Sequence, residues 1–459
     1  MQVHAEHSAR DAAETLETVA PPRVVLSGWY GAANLGDELL LAVAIGWVRD
    51  AGGIPVVASV NPAWTRATYG VEAFEWWEAA ALIEAIARAD LFAFTGGGLW
   101  QDYDGFAADA LDVFPARGAA VYAQQFFAAI ELGVPAVVLG QGVGPLEGAG
   151  PRRVTAEVFR RADAVSVRDQ ASAALLRSIG VDREITVAPD PGWSFRGEPQ
   201  LAANLVRRWP ELQGKRLLAV VLRDWPYRPG WEDELVAAMR DALPADWACV
   251  WLDFARSPPD DPEAAGREIA RRIISRLDDD LVHVVWDGET AAEAAAVIAV
   301  CDGCLAMRFH GALLAHLAGL PVVTLEYDGK VSALGHELGV PARQRVALER
   351  IEADLRPALE FITGPERRLA FRLSPQHRQR LGAEALAHRD LLRAAIAAAR
   401  QPFSAPGRAA PDLPRVSQWL ALSGPAAEAA REAIARRFAA AGPSTGTERA
   451  AAGPRPPGR

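Results

Sequence analysis

The segment MRFHGALLAHLAGLP, residues 307–321, sets an arginine and a histidine in front of a run of small and apolar residues. A guanidinium is out of place at the head of a core segment, so Arg308 and His310 read as groups presented at a helix N-terminus. Such an end attracts anions through its free N–H groups and its dipole. An imidazole placed there can exchange protons with whatever the anion site holds. His316 stands six residues further on, turned by about 600° around a helix, and reads as a packing residue. The chemistry on offer is anion binding coupled to proton transfer.

Other segments supply partners for that chemistry. SVRDQAS (166–172) places Arg168 after a short apolar strand. It can pair with Asp169 or Asp190, or reach out and grip a carboxylate or phosphate bidentately. LRDW (222–225) offers Arg223, and LEYDGK (325–330) offers Glu326 and Lys330. Lys330 and Lys215 are the only lysines among 48 basic residues, so each stands out against an arginine default. GWYGAANLGDE (28–38) is glycine-rich but lacks the G-x-G-x-x-G dinucleotide spacing. Its Asn34 and Asp37 either bind sugar hydroxyls or cap a helix that starts near Asp37. TGGGLWQD (95–102) centres three glycines on Gly97 and is followed by Gln101 and Asp102. The triplet marks either a tight turn or a close approach to the backbone. GQGVGPLEG (140–148) adds Gln141.

All of these lie where apolar strands should end. RVVLSGWY, IPVVASV, LFAFTGGG, PAVVLGQGVGP and ITVAPDPGW alternate with helical patterns such as DELLLAVAIGWVRDAG. The alternation predicts a parallel sheet with helices on both faces. It lapses over 196–214 and restarts at RLLAVVLRDWP (216–226). The expected organisation is an N-terminal tail (1–20), a Rossmann-like domain (21–195), a linker (196–214), a second Rossmann-like domain (215–365), C-terminal helices (366–441) that pack back across the first domain, and a disordered tail (442–459). In open α/β sheets ligands bind at the carboxyl ends of strands, so two such domains predict a cleft lined by the loops above.

Composition narrows the function. The 459 residues are 50% hydrophobic and 23% charged, with a net charge of −10. That is ordinary globular composition with no basic stripe for nucleic acid. Three cysteines do not make a disulfide framework. Cys301 and Cys304 form a C-x-x-C with no zinc-spaced second pair and read as a reduced, partly buried pair. No metal site is expected. The N-terminus lacks a signal-peptide pattern, and no apolar run is long enough to span a membrane. A cytoplasmic protein is expected, with at most a peripheral place at a membrane.

The ordered set GWYGAANLGDE, TGGGLWQD, GQGVGP, SVRDQAS, APDPGWSF, RFHGALLA and PVVTLEYDGKV over residues 23–340 resembles the polysaccharide pyruvyl transferase family. The resemblance implies two domains arranged as in GT-B glycosyltransferases. It implies transfer of pyruvate from phosphoenolpyruvate to two hydroxyls of one sugar, with a cyclic ketal formed and phosphate released. The acceptor would be a sugar or a lipid-linked oligosaccharide of a cell-envelope or exopolysaccharide glycan. No cofactor is implied beyond the donor substrate. The family's catalytic residues fall here on Arg168, Arg308 and His310. Phe309 stands where the family often has leucine, and the serine that often follows the triple glycine is absent.

The residue chemistry suits that reaction. Phosphoenolpyruvate carries a carboxylate and a phosphate, which Arg168, Arg308 and Lys330 can hold. A proton must reach its C3 as a sugar oxygen attacks C2, and His310 is the group to move it. Asn34, Asp37 and Asp102 would meet the sugar hydroxyls. Two rivals are a GT-B glycosyltransferase with a nucleotide-sugar donor and a non-catalytic glycan-binding protein.

Overall fold

The computed structural model describes residues 20–440 apart from 104, 107–110, 112–113, 199, 202–204, 256–264, 278–280, 287, 289 and 400–413. The tails expected at 1–20 and 442–459 therefore fall outside the described residues, save Ala20.

Two parallel sheets carry the fold. The first holds β1 (Arg23–Ser27), β2 (Ile54–Ser59), β3 (Glu72–Glu75), β4 (Leu91–Thr95), β5 (Ala136–Gln141), β6 (Ala164–Val167) and β7 (Thr186–Val187). Its order is β3-β2-β1-β4-β5-β6-β7. The second holds β8 (Arg216–Val221), β9 (Trp247–Leu252), β10 (Val282–Trp286), β11 (Gly303–Ala306), β12 (Val322–Glu326) and β13 (Arg345–Ala347), in the order β10-β9-β8-β11-β12-β13. The strands read as unbroken apolar runs because helices cover both faces. LFAFT in β4 and WACVWL in β9 are buried at every residue. Strand order reverses between β1 and β4 in one sheet and between β8 and β11 in the other. These reversals leave crevices at the carboxyl edge, where ligands bind.

Four helices position the site: α1 (Leu35–Asp50), α2 (Phe309–Ala318), α3 (Gly329–Glu337) and α4 (Pro375–Ala399). α1 starts two residues before the expected Asp37. Its cap is Asn34, whose Oδ1 accepts from Gly36 N at 3.3 Å. The expected strand at 185–193 shrinks to two residues, because Pro189 and Pro191 cannot donate to a ladder. A helix at Pro62–Tyr69 and the short β3 and β13 are additional to the elements read from the sequence.

The two halves share an apolar seam. Leu35 and Leu39 of α1 and Trp193 belong to the same buried cluster as Leu313 of α2 and the strands β8 and β9. Leu35 N also donates to Phe254 O across the seam at 2.9 Å. α4 crosses both halves, as its expected return over the first domain requires. Leu381 and Ala385 pack in the shared cluster, while Leu392 and Ile396 pack under the first sheet. His388 anchors the crossing, with Nδ1 2.8 Å from Ser166 Oγ and Nε2 3.0 Å from Pro189 O.

Candidate active site

The glycine triplet after β4 shows how tightly the site is drawn together. Gly96 (φ +77°) lies against Leu40, where a Cβ would come within 2.9 Å of Cδ1. At Gly97 (φ +90°) a Cβ would stand 3.2 Å from Asp37 Oδ1, and at Gly98 it would stand 3.2 Å from Lys330 Nζ. The loop thus passes between a carboxylate of the first half and an ammonium of the second. Only glycine combines those positive φ values with that lack of bulk.

Asp37, left in the first turn of α1 by the cap at Asn34, faces the cleft. Burial raises its carboxyl to about 6 against the opposing pull of His310, Arg168 and Arg308. Its neighbour Glu38 is fully buried and raised by that burial to about 8. Glu38 accepts from Gly31 N at 2.7 Å and Tyr69 Oη at 2.9 Å, which holds the 28–34 loop.

Arg168 and His310 meet on one carboxylate. Arg168, 7% exposed, sets Nη1 3.1 Å from Asp190 Oδ2. His310 Nε2 lies 3.5 Å from Asp190 Oδ1, which also accepts from Gly192 N at 2.9 Å. Burial by itself would raise Asp190. His310, Arg168 and the Gly192 N–H outweigh it and hold the carboxyl well below the usual range. Asp190 therefore ties an arginine of the first half to a histidine of the second. The guanidinium of Arg168 also lies 4.2 Å above the Phe309 ring, a cation–π contact across the cleft that leucine could not make. Gly142 lies flat against that guanidinium, where a Cβ would sit 2.6 Å from Nε.

Arg308 occupies the cap position of α2, and its Nε donates to Leu222 O at 3.1 Å. Burial, then the nearby Arg223, lower it to about 10. Its Nη groups make no hydrogen bond among the described residues. Lys330, at the head of α3, is lowered to about 8 by burial and by Arg168. It has no ion pair among the described residues, and its Nζ lies 5.4 Å from the centre of the Tyr103 ring. A cavity of about 280 Å³ opens beside Arg168 and Lys330, lined also by Asp190, Trp193, Phe309 and Leu381 but not by Arg308, His310 or Asp37.

The remaining sequence candidates have structural partners. Gln141 is fully buried and donates to Gly96 O at 2.5 Å, bracing the glycine turn. Gln101 Oε1 accepts from Tyr103 N at 2.6 Å. Asp102 accepts from Glu147 N at 2.6 Å and Gly148 N at 3.0 Å, joining the loops after β4 and β5. Glu326 approaches Arg345 at 3.9 Å, toward β13. Arg223 donates to Tyr327 Oη at 3.1 Å. His316 is fully buried, and burial pushes it down to about 3, as a packing residue requires. Cys249, Cys301 and Cys304 are buried and free.

Asp190 was visible in the sequence only as a partner for Arg168. Its link to His310 depends on the approach of the two halves. The one signal for it was an aspartate held between two prolines just past a strand.

Two facing Rossmann-like sheets with a shared cleft define a GT-B-type α/β protein. Solved structures agree on that architecture. Anabaena Alr3699/HepE with UDP and glucose superposes at a TM-score of 0.50, with 14% identity, over 83% of this chain and 97% of that one. S. aureus MnaA with UDP gives 0.53 and 13%, over 81% and 95%. The UDP-GlcNAc 2-epimerase of Neisseria meningitidis bound to UDP-GlcNAc gives 0.50 and 11%, over 81% and 98%. The polysaccharide pyruvyl transferase family model matches residues 34–329, and the chain belongs to that family. Among the described residues no helix is long and apolar enough to cross a membrane. Among them, too, no group of three or more His, Cys, Asp or Glu is placed to hold a metal ion.

Proposed function

We propose that this protein moves pyruvate from phosphoenolpyruvate onto two hydroxyls of one sugar in a cell-envelope or exopolysaccharide glycan, in the cytoplasm, with no cofactor. The observation that carries this reading is the convergence of Arg168, Arg308 and Lys330 on the cleft that also holds His310 and Asp37. Three cations suit a ligand with a carboxylate and a phosphate on a three-carbon unit.

The reaction runs in two stages. Asp37, raised to about 6, takes the proton of the first sugar hydroxyl as its oxygen attacks C2 of the donor. His310 delivers a proton to C3, which becomes the methyl group. The C2–O bond to phosphate then breaks, with the leaving charge held by Arg308 and Lys330. The second hydroxyl closes the ketal, its proton leaves with the phosphate, and the proton taken by Asp37 replaces the one His310 gave to C3. Asp190 keeps His310 and Arg168 in place throughout.

The test is incubation with phosphoenolpyruvate and a pyranoside bearing a free 4,6-diol. Phosphate release matched by a pyruvyl gain in acceptor mass is expected. Turnover of a nucleotide sugar without phosphate release from phosphoenolpyruvate would sink this reading in favour of a GT-B glycosyltransferase.

A further inference from the structure

The mouth of the cleft carries an aromatic wall that the transfer chemistry leaves unused. The guanidinium of Arg223 lies 5.4 Å from the Tyr327 ring centre and 5.5 Å from that of Trp225. Trp225 lies 4.6 Å from Tyr327, and Tyr227 lies a further 4.8 Å from Trp225. Across the cleft stands Tyr103, over Lys330. Tyr227 is 79% exposed and Tyr103 59%, a large aromatic surface to leave in water.

The exposure does not come from a slack loop. Trp231 Nε1 donates to Trp225 O at 3.0 Å, Arg228 pairs with Glu234 at 2.7 Å, and Arg272 reaches Asp224 at 3.3 Å. These bonds tie down the backbone on both sides of Trp225 and Tyr227.

We propose that this wall is a saccharide subsite. It stacks sugar units that lie beyond the one carrying the reacting diol, so the acceptor is an oligosaccharide. This rests on the pyruvyl-transfer reading above. Arg223 lies over the Trp225 and Tyr327 rings, while Tyr227, edge-on to Trp225, keeps exposed ring surface for the apolar face of a pyranose. Arg223, over the two inner rings, and the tyrosine oxygens suit sugar hydroxyls. An aliphatic chain has no use for a guanidinium at its side. The wall also has a direction. It starts at Tyr327, within the electrostatic reach of Arg308, and ends at Tyr227 in solvent. That run of three rings is longer than a single sugar.

The experiment compares a monosaccharide glycoside, the matching disaccharide and trisaccharide, and the monosaccharide carrying a prenyl chain. All bear the same terminal 4,6-diol, and phosphate release is followed. The disaccharide should exceed the monosaccharide in kcat/KM by about tenfold, through KM. Tyr227→Ala should collapse that ratio, while Leu369→Ala, a control at another exposed apolar residue, should keep it. Saturation-transfer NMR without donor should show protons of the second sugar in contact with wild-type protein and not with Tyr227→Ala. Equal kcat/KM for all sugars, or a gain from the prenyl chain alone, overturns the subsite and leaves pyruvyl transfer standing. Contact of the second sugar by NMR without turnover of phosphoenolpyruvate upholds the subsite and rejects pyruvyl transfer instead.

Discussion

Asp37→Asn should make the protein more stable and far less active, and the size of both effects follows from the site. Burial raises the Asp37 carboxyl from 3.8 to about 6 in spite of Arg168, Arg308 and His310 nearby. In the unfolded chain it returns to the ordinary value. Between those two pH values the folded chain holds a proton that the unfolded chain has lost, so stability falls as pH rises. Above pH 6 the full penalty remains, and the shift converts to about 3 kcal/mol. That figure is an upper bound, since Asp37 keeps some contact with solvent at the cleft. Asparagine has nearly the same shape and no charge, so it escapes the penalty. The thermal midpoint should rise by up to about 3 °C at neutral pH, and the gain should vanish below pH 3.8. Phosphate release should fall by about 10²–10⁴-fold, the usual contribution of a general base. Differential scanning calorimetry at both pH extremes, with a phosphate-release assay alongside, reads both effects. A variant that is destabilised at neutral pH, or that keeps wild-type turnover, would falsify the role given to this carboxylate.

Two further expectations follow from the same geometry. Gly36 lies in the first turn of α1, where a Cβ would stand 2.4 Å from His310 Nδ1. Gly36→Ala should cut kcat by about a hundredfold through misplaced His310, with no gain in thermal midpoint, because the overlap offsets what alanine adds to the helix. Full activity would show that His310 can shift without cost. Lys330 loses its charge as pH rises through about 8, so the KM for phosphoenolpyruvate should climb there. Lys330→Arg should carry its charge to higher pH and flatten that climb. A wild-type KM that ignores pH across this range would remove Lys330 from donor binding.

The sequence was most readable where the chemistry depends on local order. Arg168, Arg308, His310 and the glycine triplet each follow an apolar strand, and parallel strands bring all such ends to one edge. That argument needs no knowledge of which strand lies beside which. It fails for Asp190, whose meaning comes from a contact between halves far apart in the chain. It also fails for Gln141 and Asp102, which stand at the correct edge but turn back to satisfy backbone groups. Position at a strand end gives the edge, not the direction of the side chain. Asp37 became a cleft residue for a similarly local reason: Asn34 took over the helix cap. β3 and β13 escaped notice because four and three residues are too few for a period to emerge.

The way the halves are joined bears on how a substrate gets in. The candidate groups are divided between them: Arg168, Asp190 and Asp37 on one, Arg308, His310 and Lys330 on the other. A hinge that opened widely would separate His310 from Asp190 and lift Phe309 off Arg168. It would also expose Leu35, Leu39, Trp193 and Leu313, which are all almost fully buried. Interfaces between domains that move freely are usually more polar than this seam. α4 adds a second tie, with one end in the shared cluster and the other under the first sheet. The floor of the cleft is therefore fixed in its working geometry, and access falls to the mouth, where exposed Tyr103 and Tyr227 stand on opposite sides. If Tyr227 stacks the acceptor as proposed, affinity is decided at the mouth and rate at the floor. Changes at Tyr227 should then act on KM, and changes at Gly36 or Asp37 on kcat.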